Sequence, residues 1–211
     1  KIKKARAILR KAFSAFLTGK ILKGRLKDEE ILAKHYSTKN RDYELVYKRI
    51  LDKERTIIDL GAGINGFSYK FIRERINARY IAIEAIGQLV ELMNSYFKEN
   101  KFDAIAIHED LFNIFKIVEI MKKQEKPRTV FMFNIIDALE LFERNFSKKF
   151  ILVLAGNCEK IVLSFPLRSI EKRERFKARR YWLLNFLEKN FQVLDDFEAG
   201  ERFIVFSKEK I

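Results

Sequence analysis

A short glycine-containing run, Asp59–Phe67, is the feature that most constrains how this chain folds. It follows an apolar stretch ending at Ile58 and precedes a segment with helical periodicity, which predicts a strand-to-helix turn. Glycine permits a tight turn and lets a ligand lie close to bare backbone. Twenty-five residues after Asp59, a second apolar strand ends in Glu84, where a carboxylate holds a ribose through its two hydroxyls. The turn and the acid together predict a nucleoside-bearing cofactor on an α/β sheet.

Stretches with strand and helix periodicity alternate from Thr56 onward. We predict strands at 56–60, 79–84, 103–108, 129–135 and 160–165, and helices at 66–76, 87–99, 112–123, 136–154 (broken near Ser147) and 174–190. Such alternation indicates a parallel sheet with right-handed crossovers. The apolar segments 191–197 and 202–207 flank Ala199-Gly200 and predict a hairpin, which requires one antiparallel strand. A mostly parallel, seven-stranded α/β sheet ending in an antiparallel hairpin is typical of Rossmann-like class I S-adenosylmethionine-dependent methyltransferases.

A second acid, Asp110, supports this interpretation because it follows the third predicted strand. In methyltransferases of this class, an acid at that place hydrogen-bonds the adenine amino group. Asp110 also suits the N-cap of the helix predicted at 112–123, and the two roles are compatible. We therefore predict S-adenosyl-L-methionine as the cofactor, contacted by Gly61, Ala62, Gly63, Glu84, Asp110 and Leu111.

The N-terminal part of the chain has a different pattern. Apolar residues recur at helical spacing through residues 1–33 with basic residues on the opposite face, and a further helix is predicted from Asp42 to about Leu51. We predict a short, basic, helical N-terminal extension at 1–52 and a methyltransferase domain that binds S-adenosylmethionine at 53–211.

The formal net charge is +14, and the excess is concentrated in two segments. Residues 1–27 contain ten Lys or Arg and no acid, and residues 168–180 contain seven basic residues against two glutamates. Clustered positive charge favours binding to a phosphate backbone, although a solvated, solubilising surface is the alternative explanation. We predict RNA contacts by Lys4, Arg6, Arg10, Lys11, Arg168, Lys172, Arg173 and Arg175.

Composition argues against several other classes of protein. No apolar run approaches the roughly 20 residues of a membrane span, and the basic N-terminus is not followed by the features of a secretory signal. The single Cys158 forms no internal disulfide, which fits a reducing cytoplasm. With two His and one Cys, we expect no dedicated zinc site and no bound metal. We expect a cytoplasmic monomer that does not associate with membranes.

Three segments resemble one family. The sequence His-Tyr-Ser-Thr-Lys-Asn-Arg at 35–41 is similar to the His-x-Ser-Thr-Arg-x-Arg segment of the aminoglycoside-resistance 16S ribosomal RNA methyltransferases, which methylate a guanine N7. Leu163–Ser169 resembles their Ser-Phe-Pro-Thr-Arg-Ser segment, and Asp59–Phe67 resembles their Asp-Leu-Gly-Cys-Gly-Leu-Asn-Pro-Leu segment. After the fourth strand, however, the family reads Lys-x-x-Pro-Cys-Leu-Glu where this chain has Asn134-Ile-Ile-Asp-Ala-Leu-Glu, and the loop after Ser169 lacks the family's glycines.

The resemblance implies further cofactor contacts by His35, Ser37, Thr38 and Arg41. The Arg41 guanidinium would bind the cofactor's carboxylate, since the two groups pair through two hydrogen bonds; a surface arginine is the alternative. It also implies an S-adenosylmethionine-dependent methyltransferase that acts on structured RNA, at a guanine N7 of small-subunit ribosomal RNA. A small-molecule methyltransferase and a non-catalytic RNA-binding protein on the same fold remain open.

The candidate chemistries place different demands on the site. Guanine N7 is a lone pair without a proton, so methyl transfer to it requires alignment and exclusion of water rather than a general base, and the sequence offers no convincing base. Asn134 is a candidate for positioning; two isoleucines follow it, not the Pro-Pro-aromatic sequence of exocyclic-amine methyltransferases. Methylation of cytosine C5 needs a thiolate, and we interpret Cys158 as a small buried apolar residue.

Overall fold

The computed structural model describes residues 31–32, 38, 40–167 and 180–208. Seven strands lie within these residues: β1 (Thr56–Leu60), β2 (Arg79–Glu84), β3 (Ala104–His108), β4 (Arg128–Phe133), β5 (Lys160–Pro166), β6 (Gln192–Glu198) and β7 (Glu201–Ser207). The helices are α1 (Tyr43–Ile50), α2 (Tyr69–Arg73), α3 (Gly87–Glu99), α4 (Ile114–Lys122), α5 (Ile136–Phe142), α6 (Phe146–Ala155) and α7 (Tyr181–Asn190), with a 3-10 turn at Asn65–Ser68 before α2.

The strands form one sheet in the order β3-β2-β1-β4-β5-β7-β6. Strands β1 to β5 pair in parallel, and β7 runs antiparallel to both β5 and β6. The predicted parallel sheet with a closing antiparallel hairpin is confirmed. From β1 the chain adds β2 and β3 on one side, and from β4 it adds β5 and the hairpin on the other side, so the strand order reverses between β1 and β4. Their carboxyl ends therefore form the crevice in which open α/β sheets bind ligands.

The sheet is buried on both faces, and successive side chains of each strand enter different apolar clusters. In β4, Phe131 and Phe133 belong to one cluster and Val130 and Met132 to the other. Helices α1, α2 and α3 cover the first face, and α4 to α7 cover the second. Burial on two faces explains why the strands are continuous apolar runs rather than alternating ones.

Helix α1 packs into the same core as the sheet. Asp42 caps its first turn, because Oδ1 accepts a hydrogen bond from the backbone N–H of Leu45 at 3.0 Å. Val46 and Tyr47 are fully buried, and the Tyr47 ring stacks on Phe131 of β4 with 6.1 Å between the ring centroids. The predicted domain boundary at 52/53 stays a prediction. The helical pattern of residues 1–30 lies outside the described residues.

The end of β4 was predicted wrongly and the break in the helix at 136–154 was predicted correctly, and a left-handed asparagine lies at each place. Strand β4 ends at Phe133 rather than at residue 135, because Asn134 has a φ of 56° and turns the chain out of the strand. The break predicted near Ser147 in the helix at 136–154 is confirmed, because α5 ends at Phe142 and α6 begins at Phe146, directly after Asn145, whose φ is 64°. Glu140 stabilises this break by accepting hydrogen bonds from the backbone N–H groups of Asn145 and Ser147, at 2.7 and 3.0 Å.

Other predicted helices are shorter or less regular than expected. The segment predicted as a helix at 66–76 begins as the 3-10 turn and becomes α-helical only at Tyr69–Arg73. The helix predicted at 112–123 spans Ile114–Lys122. Of the helix predicted at 174–190, the part Tyr181–Asn190 is confirmed, and 174–179 lies outside the described residues. Within the described ranges, no helix is long and apolar enough to cross a membrane.

Candidate active site

A groove lies at the carboxyl edge of the sheet, where β1 and β4 adjoin. It gathers residues from the ends of four strands and from helix α5. They are Gly61, Gly63, Glu84, Ala85, Ile86, Asp110, Leu111, Phe112, Phe133, Asn134, Ile135, Ala138, Leu139 and Phe142. Five of the six residues predicted from the glycine turn and the two acids are among them, and Ala62 is the exception. The structure thus brings these separated positions to one place, as the parallel topology requires.

The glycine turn after β1 depends on left-handed backbone at two positions. Gly61 has a φ of 66° and Gly63 a φ of 55°, conformations that other residues rarely adopt. The backbone N–H groups of Gly61 and Ala62 both donate to the carbonyl oxygen of Ile83, at 2.8 and 3.1 Å. A Cβ on Gly61 would lie 2.7 Å from Cδ1 of Ile135. A larger residue at position 61 would therefore be strained by the positive φ and would also force the end of the Ile135 side chain to move.

Glu84 ends β2 and is almost completely buried. Its Oε2 accepts a hydrogen bond from the N–H of Gly63 at 2.8 Å, and its Oε1 accepts one from the N–H of Ile86 at 2.9 Å. These bonds fix the carboxylate between the glycine turn and the start of α3. Burial raises the pKa of Glu84 above its usual value, although the amide hydrogen bonds act in the opposite direction. Each carboxylate oxygen keeps acceptor capacity, which suits a pair of ribose hydroxyls.

Asp110 and Leu111 follow β3 on the far side of the groove. The Oδ1 of Asp110 accepts a hydrogen bond from the N–H of Phe112 at 3.0 Å. Asp110 is exposed and is not the N-cap of α4, since that helix begins at Ile114 after Asn113. The predicted capping role is therefore wrong, and the carboxylate faces solvent in the groove. Leu111 is buried in the apolar cluster beneath it.

The groove has the chemical composition that an adenosyl group requires. Apolar side chains line it between the two carboxylates, with Ile86, Phe112 and Phe142 among them. A flat purine needs apolar contact on its faces and few hydrogen-bonding groups at its edge. The buried Glu84 and the exposed Asp110 supply those polar groups at separate positions. The residues present fit the adenosyl part of S-adenosylmethionine.

Arg41 does not line this groove, and its guanidinium is paired inside the protein. Nη2 donates to both carboxylate oxygens of Glu201 on β7, at 3.0 Å each, and Nη1 donates to Oδ1 of Asn65 at 2.7 Å. The side chain is 2% exposed. Burial alone would lower the pKa of Arg41, but the attraction of Glu201 raises it above its ordinary value. The carboxylate that Arg41 binds here belongs to the chain, and its predicted contact with the cofactor's carboxylate stays a prediction.

The Arg41 contacts continue into a buried polar network. Asn65 donates to Oδ2 of Asp59 at 2.7 Å, and the hydroxyl of Tyr80 donates to the same oxygen at 2.5 Å. Ser164 on β5 donates to Oε2 of Glu201 at 2.7 Å. Burial raises the pKa of Asp59, while the bonds from Tyr80 and Asn65 act to lower it. This network ties the glycine turn to the closing hairpin.

The remaining predicted contacts do not line the groove or lie outside the described residues. Thr38 is buried, its hydroxyl donates to the carbonyl oxygen of Leu32 at 2.7 Å, and it is not among the lining residues. His35 and Ser37 lie outside the described residues. So do all the predicted RNA-binding residues, namely Lys4, Arg6, Arg10, Lys11, Arg168, Lys172, Arg173 and Arg175.

The ends of the second basic segment are described, however. Leu167 follows β5, and Arg180 precedes α7. The guanidinium of Arg180 forms a two-pronged ion pair with Asp137 on α5, with Nε 3.0 Å from Oδ1. It also lies 4.7 Å from the ring centroid of Phe165 on β5. Leu167 and Arg180, which flank residues 168–179, therefore lie at the same edge of the sheet as the groove.

Cys158 precedes β5 and is buried, as predicted. Burial raises the pKa of its thiol to about 12. A thiol in this position carries no thiolate at neutral pH, so it does not serve as a nucleophile.

No family model and no curated protein sequence matches the chain. Solved structures do share its fold. The 16S rRNA methylase RmtB has a TM-score of 0.73 and 20% sequence identity, with 99% of this chain and 82% of RmtB covered. The 16S rRNA methyltransferase RmtF, solved with S-adenosyl-L-homocysteine, has a TM-score of 0.76 and 18% identity over 98% of this chain and 83% of its own. An rRNA methylase from Escherichia coli has a TM-score of 0.73 and 20% identity, covering 99% and 83%. The resemblance stated from the sequence is thus confirmed for the fold.

Proposed function

We propose that the protein is an S-adenosyl-L-methionine-dependent methyltransferase that modifies structured RNA, at a guanine N7 of small-subunit ribosomal RNA. The observation that carries the proposal is the convergence of Gly63, Glu84 and Asp110 on one apolar groove at the β1/β4 crevice. The similarity in fold to 16S rRNA methylases supports both the cofactor and the class of substrate.

The groove residues divide the cofactor contacts among them. Glu84 would accept hydrogen bonds from the two ribose hydroxyls, since Gly63 and Ile86 already hold its carboxylate in place. Asp110 would accept a hydrogen bond from the adenine amino group. Leu111 and Ile86 would contact the faces of the adenine. His35, Ser37, Thr38 and Arg41 complete the proposed set around the methionine end, on the basis of the resemblance.

The proposed chemistry requires alignment and no proton transfer. When bound, the cofactor supplies a methyl group on a sulfonium, and its S–C bond breaks as a new N–C bond forms at N7, leaving a neutral thioether and a cationic methylguanine. The protein's task is to hold the lone pair about 3 Å from the methyl carbon and to exclude water. The apolar lining of the groove serves that exclusion. The buried thiol of Cys158 argues against the covalent route to cytosine C5.

The RNA would bind over the carboxyl edge of the sheet. The residues that flank 168–179 lie there, and the sequence of 168–179 contains six basic residues and two acids. Its cations would bind phosphates beside the groove, together with the basic residues of 1–27. We propose that the enzyme is a monomer. We also propose that it is cytoplasmic, because ribosomal RNA, its proposed substrate, resides in the cytoplasm.

Two measurements test the proposal in sequence. Calorimetry should detect binding of S-adenosyl-L-homocysteine to the wild-type protein and a clear loss of affinity in Glu84→Ala. Incubation of small ribosomal subunits, large subunits and naked RNA with methyl-labelled cofactor, followed by nucleoside mass spectrometry, should then yield 7-methylguanosine from small-subunit RNA. No binding at millimolar ligand would refute the enzyme. Binding with transfer to a free metabolite instead would favour the small-molecule alternative.

A further inference from the structure

Asn134 has an unusual backbone conformation at the wall of the groove. Its φ of 56° lies in the left-handed region, which costs free energy for any residue other than glycine, although asparagine tolerates it better than most. It follows Phe133 at the end of β4 and lines the groove beside Gly61 and Gly63. Strained conformations of this kind persist where the surrounding structure imposes them, and they are concentrated at functional sites.

The side chain of Asn134 adds a second unfavourable feature, a buried polar atom. Its Oδ1 is buried and has no hydrogen-bond partner among the described residues. The other buried side-chain atoms without a partner there are Arg41 Nε, Tyr43 OH and Asp59 Oδ1, whose side chains do not line the groove. A buried polar atom without a partner in a native protein requires an explanation, and at the wall of a binding groove a direct one is that a ligand supplies the donor.

The position of Asn134 is held firmly from both sides. Its backbone N–H donates to the carbonyl oxygen of Ser164 on β5 at 3.2 Å, which continues the ladder between β4 and β5. Phe133 before it is buried and stacks on Phe131, with 4.7 Å between the centroids. Ile135 after it packs against Gly61. A polar group anchored in this way is pre-organised for a ligand.

We propose that Asn134 orients the methyl-accepting nucleobase, with Oδ1 accepting a hydrogen bond from an N–H group of that base. The inference rests on the proposed function and names a residue that touches its substrate. An acceptor in the groove selects bases that offer a donor at the matching edge, and guanine offers its N1–H and its amino group. A base bound in the groove would then satisfy the buried oxygen, and its lone pair would be aligned with the methyl group.

The test compares three variants with the wild-type protein. Asn134→Gly removes the side chain while keeping a residue that adopts positive φ without strain, so its melting temperature should not fall. Its kcat/KM on small ribosomal subunits should fall about tenfold, which corresponds to the loss of one hydrogen bond. Asn134→Asp keeps the acceptor and should retain most of the activity. All these variants should bind S-adenosyl-L-homocysteine as tightly as the wild type.

Asn145→Gly is the matched control. Asn145 is also left-handed, with a φ of 64°, but it is exposed and lies outside the groove. It should show the same effect on melting temperature and no change in kcat/KM.

Three results would overturn the inference. They are full activity in Asn134→Gly, a loss of affinity for S-adenosyl-L-homocysteine in Asn134→Gly that parallels its loss of activity, and an Asn134→Asp variant as impaired as Asn134→Gly. The second would assign Oδ1 to the cofactor, and the third would assign the amide N–H to the base. A wild-type protein that binds no S-adenosyl-L-homocysteine would overturn the proposed function and this inference with it. Active wild-type protein with unaffected variants would overturn the inference alone.

Discussion

Arg41 and Glu201 form a buried ion pair, and removing one partner leaves the other charge unpaired in the core. We expect Glu201→Gln to lower the free energy of unfolding by about 3–5 kcal/mol, because the uncompensated guanidinium loses its counter-charge in a place that water does not reach. Urea denaturation followed by circular dichroism measures this loss.

Asp196→Asn on the neighbouring strand is the control. Asp196 pairs with Arg202 through two hydrogen bonds, but both side chains are more than one-third exposed. Its loss should therefore cost less than about 1 kcal/mol. Equal losses in the two variants would show that the Arg41 pair is no more important to stability than a surface pair.

Glu84 gives the groove a pH dependence. Burial raises its pKa, so the protonated form persists to a higher pH in the folded protein than in the unfolded chain. Ionised Glu84 therefore costs stability, and this cost is absent below the pKa of the unfolded chain and is complete once the pH has risen through the pKa of the folded protein. Hydroxyl donors of a ribose prefer the ionised form.

We therefore expect the affinity for S-adenosyl-L-homocysteine to fall on acidification from pH 7.5, with a midpoint above the ordinary glutamate pKa of 4.5. Calorimetry at half-unit pH steps measures it. Glu84→Gln should bind more weakly at pH 7.5 and show a flatter profile. A wild-type profile that is flat down to pH 4.5 would contradict this assignment.

Among the elements, the turn between β6 and β7 is held tightly against the segment that precedes α1. Gly200 has a φ of 77°, and a Cβ on it would lie 1.8 Å from the carbonyl oxygen of Asn40. The added Cβ and the carbonyl oxygen of Asn40 are both attached directly to backbone. The clash can therefore be relieved only by moving the hairpin turn or the segment before α1. We expect Gly200→Ala to destabilise the protein by more than about 2 kcal/mol, through strain and displacement of the chain at Arg41.

Gly156→Ala is the comparison, and thermal denaturation of both variants measures the difference. Gly156 has a φ of −76° at the end of α6, and its added Cβ would lie 3.4 Å from the carbonyl oxygen of Val153. It should change the free energy of unfolding by less than about 1 kcal/mol. If Gly200→Ala proved equally mild, the hairpin would not be clamped on the N-terminal segment.

The elements themselves were largely predictable, and the errors lie at their ends. Strands such as Thr56–Leu60 and Arg79–Glu84 were predicted at their observed bounds, because long apolar runs between turn residues reflect burial on both faces. Strand β4 ends earlier than predicted because Asn134 is left-handed, and the helix predicted at 66–76 begins as a 3-10 turn. The spacing of apolar residues does not reveal the φ angle of a single residue, so these element ends could be located only in the structure.

On the scale of the whole molecule, the groove was predictable and the Arg41 network was not. Gly63, Glu84 and Asp110 each lie at or just after the carboxyl end of a parallel strand, and topology alone brings such positions to one edge. Glu201 lies 160 residues from Arg41, and no local pattern links them. The resemblance identified Arg41 as a carboxylate-binding residue, yet only the packing of the hairpin shows which carboxylate it binds here.

The concentration of positive charge leads to a final prediction about RNA. Reversing Arg173 and Arg175 to Glu lowers the formal net charge of +14 by four, since each change removes one positive charge and adds one negative. If these residues bind phosphates, affinity for small-subunit RNA should fall at least tenfold. The slope of log K against log salt should also become shallower by the amount expected for the loss of about two phosphate contacts. Filter binding between 50 and 200 mM salt measures both quantities, while calorimetry should find the affinity for S-adenosyl-L-homocysteine unchanged.

The control must change the net charge equally without touching the groove edge. Lys98 and Lys122 are exposed in the last turns of α3 and α4, which return the chain to the amino ends of the strands. Lys98→Glu with Lys122→Glu therefore also subtracts four charges from +14, but at the opposite edge of the sheet. Because long-range attraction depends on total charge and direct contact depends on position, this variant should weaken RNA binding only slightly and keep the wild-type salt slope. Equal weakening in both double variants would mean that RNA binding depends on the net charge of the protein. The basic residues of 168–180 would then not contact RNA directly.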